Sequence, residues 1–171
     1  MKFTISATEL NAKLIALAKV MNSKVALPIY STFLLELKDG VLRITASDMD
    51  CSRCSTLPVI DMDGANGHSE SICVTASFLL DSLKNLGDQP VTFEADEENL
   101  SVVIRYNNGQ FDMVGFPAKD YVLPGTMEKN VKATIEASVL NDSIGKSLYA
   151  VGNDDLRPIF CGIYFTKKIG R

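Results

Sequence analysis

One short pattern occurs three times along this chain, and it limits the possible folds more than any other feature. Ile5-Ser6-Ala7-Thr8-Glu9-Leu10 with Leu14, Val74-Thr75-Ala76-Ser77-Phe78-Leu79 with Leu83, and Ile135-Glu136-Ala137-Ser138-Val139-Leu140 with Ile144 are the three copies. Each reads as the end of a strand, an Ala beside a Ser or Thr cap, and the first turns of an amphipathic helix. The leading leucines, Leu10, Leu79 and Leu140, stand 69 and then 61 residues apart. The first and third copies are therefore 130 apart, close to one domain length.

The offset of 130 holds without a gap. Lys2/Lys132, Thr4/Thr134, Ile5/Ile135, Ala7/Ala137, Leu10/Leu140, Asn11/Asn141, Pro28/Pro158 and Ile29/Ile159 are identical, and Tyr30/Phe160 is conservative. The third copy thus reads as the start of a second domain. Because the sequence stops at Arg171, soon after Pro158-Ile159, that domain reads as truncated. Residues 129–171 are expected to leave an open sheet edge and a half-filled core, partly disordered or dependent on a neighbouring chain.

Apolar periodicity predicts a strand over Lys2–Ser6, then a helix from about Glu9 to Asn22 capped by Thr8, with Leu10, Leu14, Leu17, Ala18 and Met21 on one face. Strands are expected near Ser31–Lys38, Val41–Ser47 and Arg53–Ile60, the first two joined by a turn at Lys38-Asp39-Gly40, and Asp61–Glu70 reads as a loop. From Ser71 the order repeats: a strand through Val74, a helix from Ser77 to about Leu86, and strands at Val91–Ala95, Leu100–Tyr106 and Gln110–Phe116. Pro117–Lys129 has the composition of a linker. The expected domains are 1–127, with halves 1–70 and 71–127, and the start of a second over 128–171.

The expected fold class is α+β, built of duplicated β-α-β-β-β units with two helices packed on antiparallel sheets. Each helix has one apolar stripe and each sheet one apolar face, and neither half buries both alone. Both helices should then lie side by side with their polar sides outward. At about 100° per residue, Lys19 falls opposite the stripe, Lys13 on its flank, and Lys84 and Lys146 well away from it; Lys24 continues the row. A solvated helical face is the plain explanation of this pattern, and a nucleic-acid surface the specific one.

Charge bears on that choice. The chain has 17 basic and 21 acidic residues, a net charge of −4, whereas a conventional DNA binder is basic overall. A protein that holds DNA without sticking could confine its positive charge to one surface. Cys51, Cys54 and Cys73 with His68 suggest a zinc site only superficially, since residues three apart on a strand point to opposite faces; reduced thiols are expected. Asp61-Met62-Asp63-Gly64 has its Gly too early for a calcium loop and Ile72 in the twelfth place. With one histidine and no phosphate loop or nucleophile elbow, neither catalysis nor a cofactor is expected. There is no apolar run of about 18 residues, so no membrane partner is expected, and the N-terminus lacks a signal-peptide pattern, so a cytoplasmic protein is expected.

Met1-Lys2-Phe3-Thr4, Leu27-Pro28-Ile29, Thr45-Ala46-Ser47-Asp48-Met49-Asp50 and Phe116-Pro117-Ala118-Lys119-Asp120-Tyr121 carry a resemblance, over the whole chain, to the bacterial DNA polymerase III beta subunit family, the DNA sliding clamps. The resemblance implies the DNA clamp fold: a ring of two chains, each of three similar domains, with helices lining the hole and sheets outside. It implies a non-catalytic processivity factor whose partners are double-stranded DNA, a second copy of the clamp chain, a clamp loader, the replicative polymerase and other clamp-binding peptides.

By the same resemblance, Lys24 and Lys84 fall at basic DNA-contacting positions, while Lys13, Lys19 and Lys146 rest on the helical wheel alone. Ser77 stands where relatives can have a basic contact, and Pro158-Ile159 replaces an aromatic pair. Phe111 and Met113 match apolar positions of the subunit interface, with Arg105 as a charged neighbour; Phe111 could instead fill the domain core. Arg157 and Phe160 match the start of the partner-peptide pocket. Two other classes compete: an enzyme built on Asp48, Asp50, Asp61 and Asp63, and a protein-interaction module that pairs through sheet edges without a DNA role.

Overall fold

In Lys2–Ser6 (β1) apolar and polar residues alternate, so Phe3 and Ile5 are buried while Lys2 is exposed. The computed structural model describes residues 1–21, 27–63, 69–125, 134–154 and 156–166. It divides into two compact units, Met1–Thr126 and Met127–Arg171.

In the first unit β1 leads into helix α1 (Ala7–Ala18), a 3-10 turn at Pro28–Ser31, and strands β2 (Thr32–Lys38), β3 (Val41–Ser47), β4 (Ser52–Pro58) and β5 (Asp61–Asp63). The order then recurs as β6 (Glu70–Thr75), α2 (Ala76–Leu83), β7 (Pro90–Ala95), β8 (Ser101–Tyr106), β9 (Gly109–Val114) and β10 (Phe116–Pro117). The β2–β3 hairpin closes through Asp39 and Gly40, with φ of 49° and 76°, the two positive values that a tight turn matched to strand twist requires.

The strands do not assort by half. One five-stranded antiparallel sheet runs β5-β1-β7-β8-β9, the other β10-β6-β2-β3-β4. Each half gives its leading and trailing strands to the sheet built on the other half's central three. Phe3 faces Phe93 across β1 and β7, and Leu35 faces Ile72 across β2 and β6. The sheets behind the helices are thus five-stranded, larger than three strands per unit would make, and Asp61–Asp63 is a strand on the flank of β1 where a loop was expected.

Strand alternation sends one set of side chains inward to a single core. Phe3, Phe33, Ile44, Ile72, Phe93 and Ile104 meet Leu10, Leu14 and Leu17 of α1 and Leu79 and Leu83 of α2, all nearly inaccessible. Each such side chain contributes about 1.5–3 kcal/mol by leaving water.

All three helices start at the alanine of the repeated pattern, not after the Ser or Thr that follows it: Ala7, Ala76 and Ala137. At α1 the cap is Ser6, whose Oγ accepts the Glu9 N–H at 3.4 Å. Thr8 is used differently, donating its hydroxyl to the Gly87 carbonyl at 3.2 Å, beyond the end of α2. The helix ends at Ala18, short of the expected Asn22, because Val20 N–H turns back to the Leu17 carbonyl and tightens the last turn.

A smaller apolar cluster covers the outward face of the second sheet. Tyr30, Leu34, Cys73 and Tyr121 are buried together under the segment that follows β10, and Tyr30 and Tyr121 meet edge to face at 5.5 Å. Tyr30 donates its hydroxyl to the Val122 carbonyl at 2.9 Å. Burial pushes the Cys73 thiol up to about 12, and burial with the neighbouring Cys73 pushes the Tyr121 phenol up to about 12 as well.

The second unit contains α3 (Ala137–Ser147) and short 3-10 turns at Leu148–Ala150 and Pro158–Cys161. Its helix and its second 3-10 turn begin 130 residues after α1 and Pro28–Ser31. None of its described residues is buried: Tyr149 and Leu156 are 90% and 91% exposed.

Candidate nucleic-acid interface

Helices α1 and α2 are in contact, and the core packs beneath both. Their outward sides form one surface with a shallow groove between Thr8, Asn11, Ala12 and Ile15 of α1 and Leu83, Lys84 and Gly87 at the end of α2. The structure brings Lys13, Lys19 and Lys84 to this side of the first unit, all exposed. Lys19 and Lys84 occupy the C-cap positions of α1 and α2, where the partial negative charge of the helix end favours a cation. Ile15 is 52% exposed and Phe78 40% exposed, so the surface is mixed, with cations at its ends and apolar side chains between.

Among the described residues, Lys13, Lys19 and Lys84 form no ion pair. Cations on the outward faces of the sheets are treated differently. Lys2 and Arg105 both bind Glu94, at 3.4 and 3.3 Å, and Arg43 lies 3.7 Å from Glu36. Desolvation acts to raise the Glu94 carboxyl, but hydrogen bonds and charge from Arg105, then Lys2, outweigh it and hold the group below the ordinary glutamate range. Three sheet cations are thus neutralised while the three helix lysines are left available; among the described residues Lys38, at the end of β2, is also exposed without an ion pair, and residues 1–126 carry ten basic against sixteen acidic side chains.

The other sequence-predicted positions separate. Lys24 and His68 lie outside the described residues. Lys146 belongs to the second unit, on α3, and is ion-paired with Asp142 at 2.7 Å, so it is not a free cation like the other three. Arg157 pairs with Asp154 at 3.0 Å, and Phe160, 61% exposed, lies within the Pro158–Cys161 turn, its carbonyl accepting the Gly152 N–H.

Phe111 and Met113 lie on β9, the outer strand of their sheet, half-buried against the edge of the core. Phe111 stacks on Tyr106 with centroids 4.9 Å apart. Register sets Phe111 opposite Ile104 and Arg105 opposite Gln110, so Arg105 points to the other face of the sheet and is not a neighbour of the apolar pair. Both β9 and β4 present an outer edge unpaired among the described residues.

Cys51 and Cys54 are exposed, whereas Cys73 is buried in the tyrosine cluster, and all four thiols are free. Among the described residues no three His, Cys, Asp or Glu side chains converge as metal ligands, and no helix is long and apolar enough to cross a membrane. The aspartate quartet is divided: Asp48 and Asp50 shape the turn before β4, where Asp48 Oδ1 accepts the Asp50 and Cys51 N–H groups, while Asp61 and Asp63 sit on β5 in the other sheet.

Sequence reasoning missed Arg53. On β4 it is in register with Ala46, which faces the core, so it lies on the helix side of the sheet and donates Nη1–H to the Ala16 carbonyl of α1 at 3.1 Å. Its alternation with Leu57 was the available signal.

Residues 1–124 match the family model described as DNA polymerase III beta subunit, N-terminal domain. The chain is 27% identical over 166 residues to the beta sliding clamp of Bacillus subtilis, covering 95% of this chain and 44% of that protein. It is 26% identical over 168 residues to that of Vibrio cholerae, with 96% and 44% covered. Its fold superposes on the DNA polymerase sliding clamp of Pseudomonas aeruginosa with a TM-score of 0.83 at 23% identity, over 94% of this chain and 42% of that one. For the Caulobacter crescentus pol III beta the TM-score is 0.81 at 21% identity, over 92% and 41%. The chain therefore spans under half the length of the relatives it matches.

Proposed function

The chain belongs to the DNA polymerase III beta subunit family, and on that basis we propose that it acts as part of a processivity factor. In this reading a closed clamp encircles duplex DNA and tethers the replicative polymerase in the cytoplasm, performing no chemistry itself. The observation that carries it is the set of free cations on one surface: Lys13, Lys19 and Lys84 stand unpaired on the two helices, while Lys2, Arg43 and Arg105, though not Lys38, are paired on the outward faces of the sheets.

A few dispersed cations over an acidic body suit a protein that must stay on DNA yet move along it. Each phosphate contact releases counterions and adds a modest, sequence-independent attraction, and three such contacts are too few to pin the protein at one site. Retention then comes from topological linkage, supplied by ring closure with a second copy. The outer strands support closure, because an edge strand can extend a neighbour's sheet through its unpaired backbone groups. On β9 the apolar Phe111 and Met113 would seal that seam. Residues 1–127 would form the first clamp domain and 128–171 the start of the next, with Arg157 and Phe160 opening a pocket for peptides of the clamp loader, the polymerase and other partners.

The test is binding of this chain to a short fluorescent duplex, by anisotropy, across about 20–200 mM salt. Replacing Lys13, Lys19 and Lys84 together by Gln should reduce the slope of log K against log salt by about 0.9 per lost contact, between two and three in all. An unchanged slope would remove the DNA reading and leave interaction through sheet edges.

A further inference from the structure

We infer that Arg53 is a further phosphate-contacting cation of this surface, positioned by the end of α1. The inference rests on the DNA-facing reading of the two helices and adds a contact on a strand, where neither the repeat nor the helical wheel points.

Helix geometry explains why an arginine is held there. The last carbonyls of a helix have no partner in their own ladder. Val20 N–H, which would reach Ala16 in an α-turn, bonds instead to the Leu17 carbonyl. The Ala16 oxygen is left for Arg53 Nη1, 3.1 Å away. One planar guanidinium donor is thereby fixed, and the partial negative charge of the helix end holds the cation. The remaining donors of the fork are uncommitted: among the described residues Arg53 forms no ion pair, and its side chain is exposed.

Position supports the same role. On the α1 wheel, Asn11 and Ile15 face the groove toward α2, whereas Ala16 lies on the flank away from it, so Arg53 borders α1 on the side opposite Lys84. Lys19 lies between them on the outer face of α1 and Lys13 on the same flank as Ala16, so the cations run from the end of α2 to the edge strand β4. Asp48, in the preceding turn, has its Oδ1 engaged by the Asp50 and Cys51 N–H groups and does not neutralise Arg53. A tethered guanidinium with spare parallel donors suits a bidentate phosphate contact.

Arg53→Gln removes the charge and, being two bonds shorter than the Nη1 donor, also gives up the Ala16 contact; Arg53→Lys gives up the planar anchor but keeps the charge. In the anisotropy assay Arg53→Gln should lower the salt slope by about 0.9, and Arg53→Lys should restore the slope even where both variants share a small fall in melting temperature. If Arg53→Gln leaves the slope intact while the triple lysine variant lowers it, Arg53 is only a helix anchor and this inference fails alone. If Arg53→Lys behaves like Arg53→Gln, the loss is not one of charge, and the inference also fails. If neither Arg53→Gln nor the lysine variant changes the slope, it falls together with the DNA reading.

Discussion

Phe3 and Phe93 stack with ring centroids 5.1 Å apart and planes within 5°, although one belongs to the first half of the duplication and the other to the second. They face each other across the β1–β7 ladder, both 1% exposed, so the exchange of strands is sealed by an aromatic pair. Phe3→Ala should destabilise the first unit by about 3–5 kcal/mol. Residues 1–70 expressed alone should show no cooperative thermal transition by circular dichroism, because Phe3 would have no partner. A sharp melt for that half would contradict the interlocked core.

Loss of the Ser6 cap should be felt locally. Ser6→Ala removes the acceptor of the Glu9 N–H and is expected to cost about 1 kcal/mol, whereas Thr8→Ala, which removes only an exposed hydroxyl directed at Gly87, should cost less. Urea titrations of the two variants should place the larger midpoint shift at Ser6; the reverse order would show Thr8 to be the true cap.

Alkaline stability is set by the cluster behind the second sheet. Cys73 and Tyr121 have their proton affinities raised on folding, so the folded state holds those protons more tightly than the unfolded chain. Their contribution is complete below pH 9, the ordinary thiol value, and declines as pH rises toward about 12. The melting temperature should fall over that interval, and Cys73→Ala with Tyr121→Phe should flatten the fall. Glu94 acts at the other end: its lowered affinity favours folding above the ordinary glutamate value and is lost as the pH drops below it, a trend that Glu94→Gln should weaken.

Phe111 combines a packing role with the proposed interface. In a form of the protein that dimerises, Phe111→Ala should increase the monomer fraction at micromolar concentration in sedimentation equilibrium. It should lower monomer stability less than Phe3→Ala does, since Phe111 is only half-buried. An unchanged dimer fraction would limit Phe111 to stacking on Tyr106.

Hydrogen exchange should distinguish the two units. Strands β1, β2, β6 and β7 are bonded on both sides and should exchange slowly, whereas the amides of Ala137–Ser147, in a helix with no buried residue, should exchange orders of magnitude faster. Equal protection would mean that the apolar stripe of α3 is covered.

Local features were legible in the residues. Alternation placed β1 and β3 correctly, and Lys38-Asp39-Gly40 identified its hairpin, because side-chain period and turn chemistry are properties of neighbouring residues. The pairing of Phe3 with Phe93 was not legible, since nothing local says which strand joins which sheet. Lys13, Lys19 and Lys84 could be found by helical spacing, because a helix determines its own faces. Arg53 could not, as its role depends on an unpaired carbonyl 37 residues earlier, and the pairing of Arg105 with Gln110, away from Phe111 and Met113, needed the β8–β9 register.

The exchanged strands also order events in time as the chain is made. β1 is made before the other strands of its unit, yet its longest ladder waits for Pro90–Ala95. At about 5–20 residues per second that is a delay on the order of 4 to 18 s, during which an apolar face carrying Phe3 and Ile5 has no mate. The earliest strand of the unit therefore waits for the second half before its ladder with β7 can form, and protection of its apolar face during synthesis becomes a requirement that follows from topology alone.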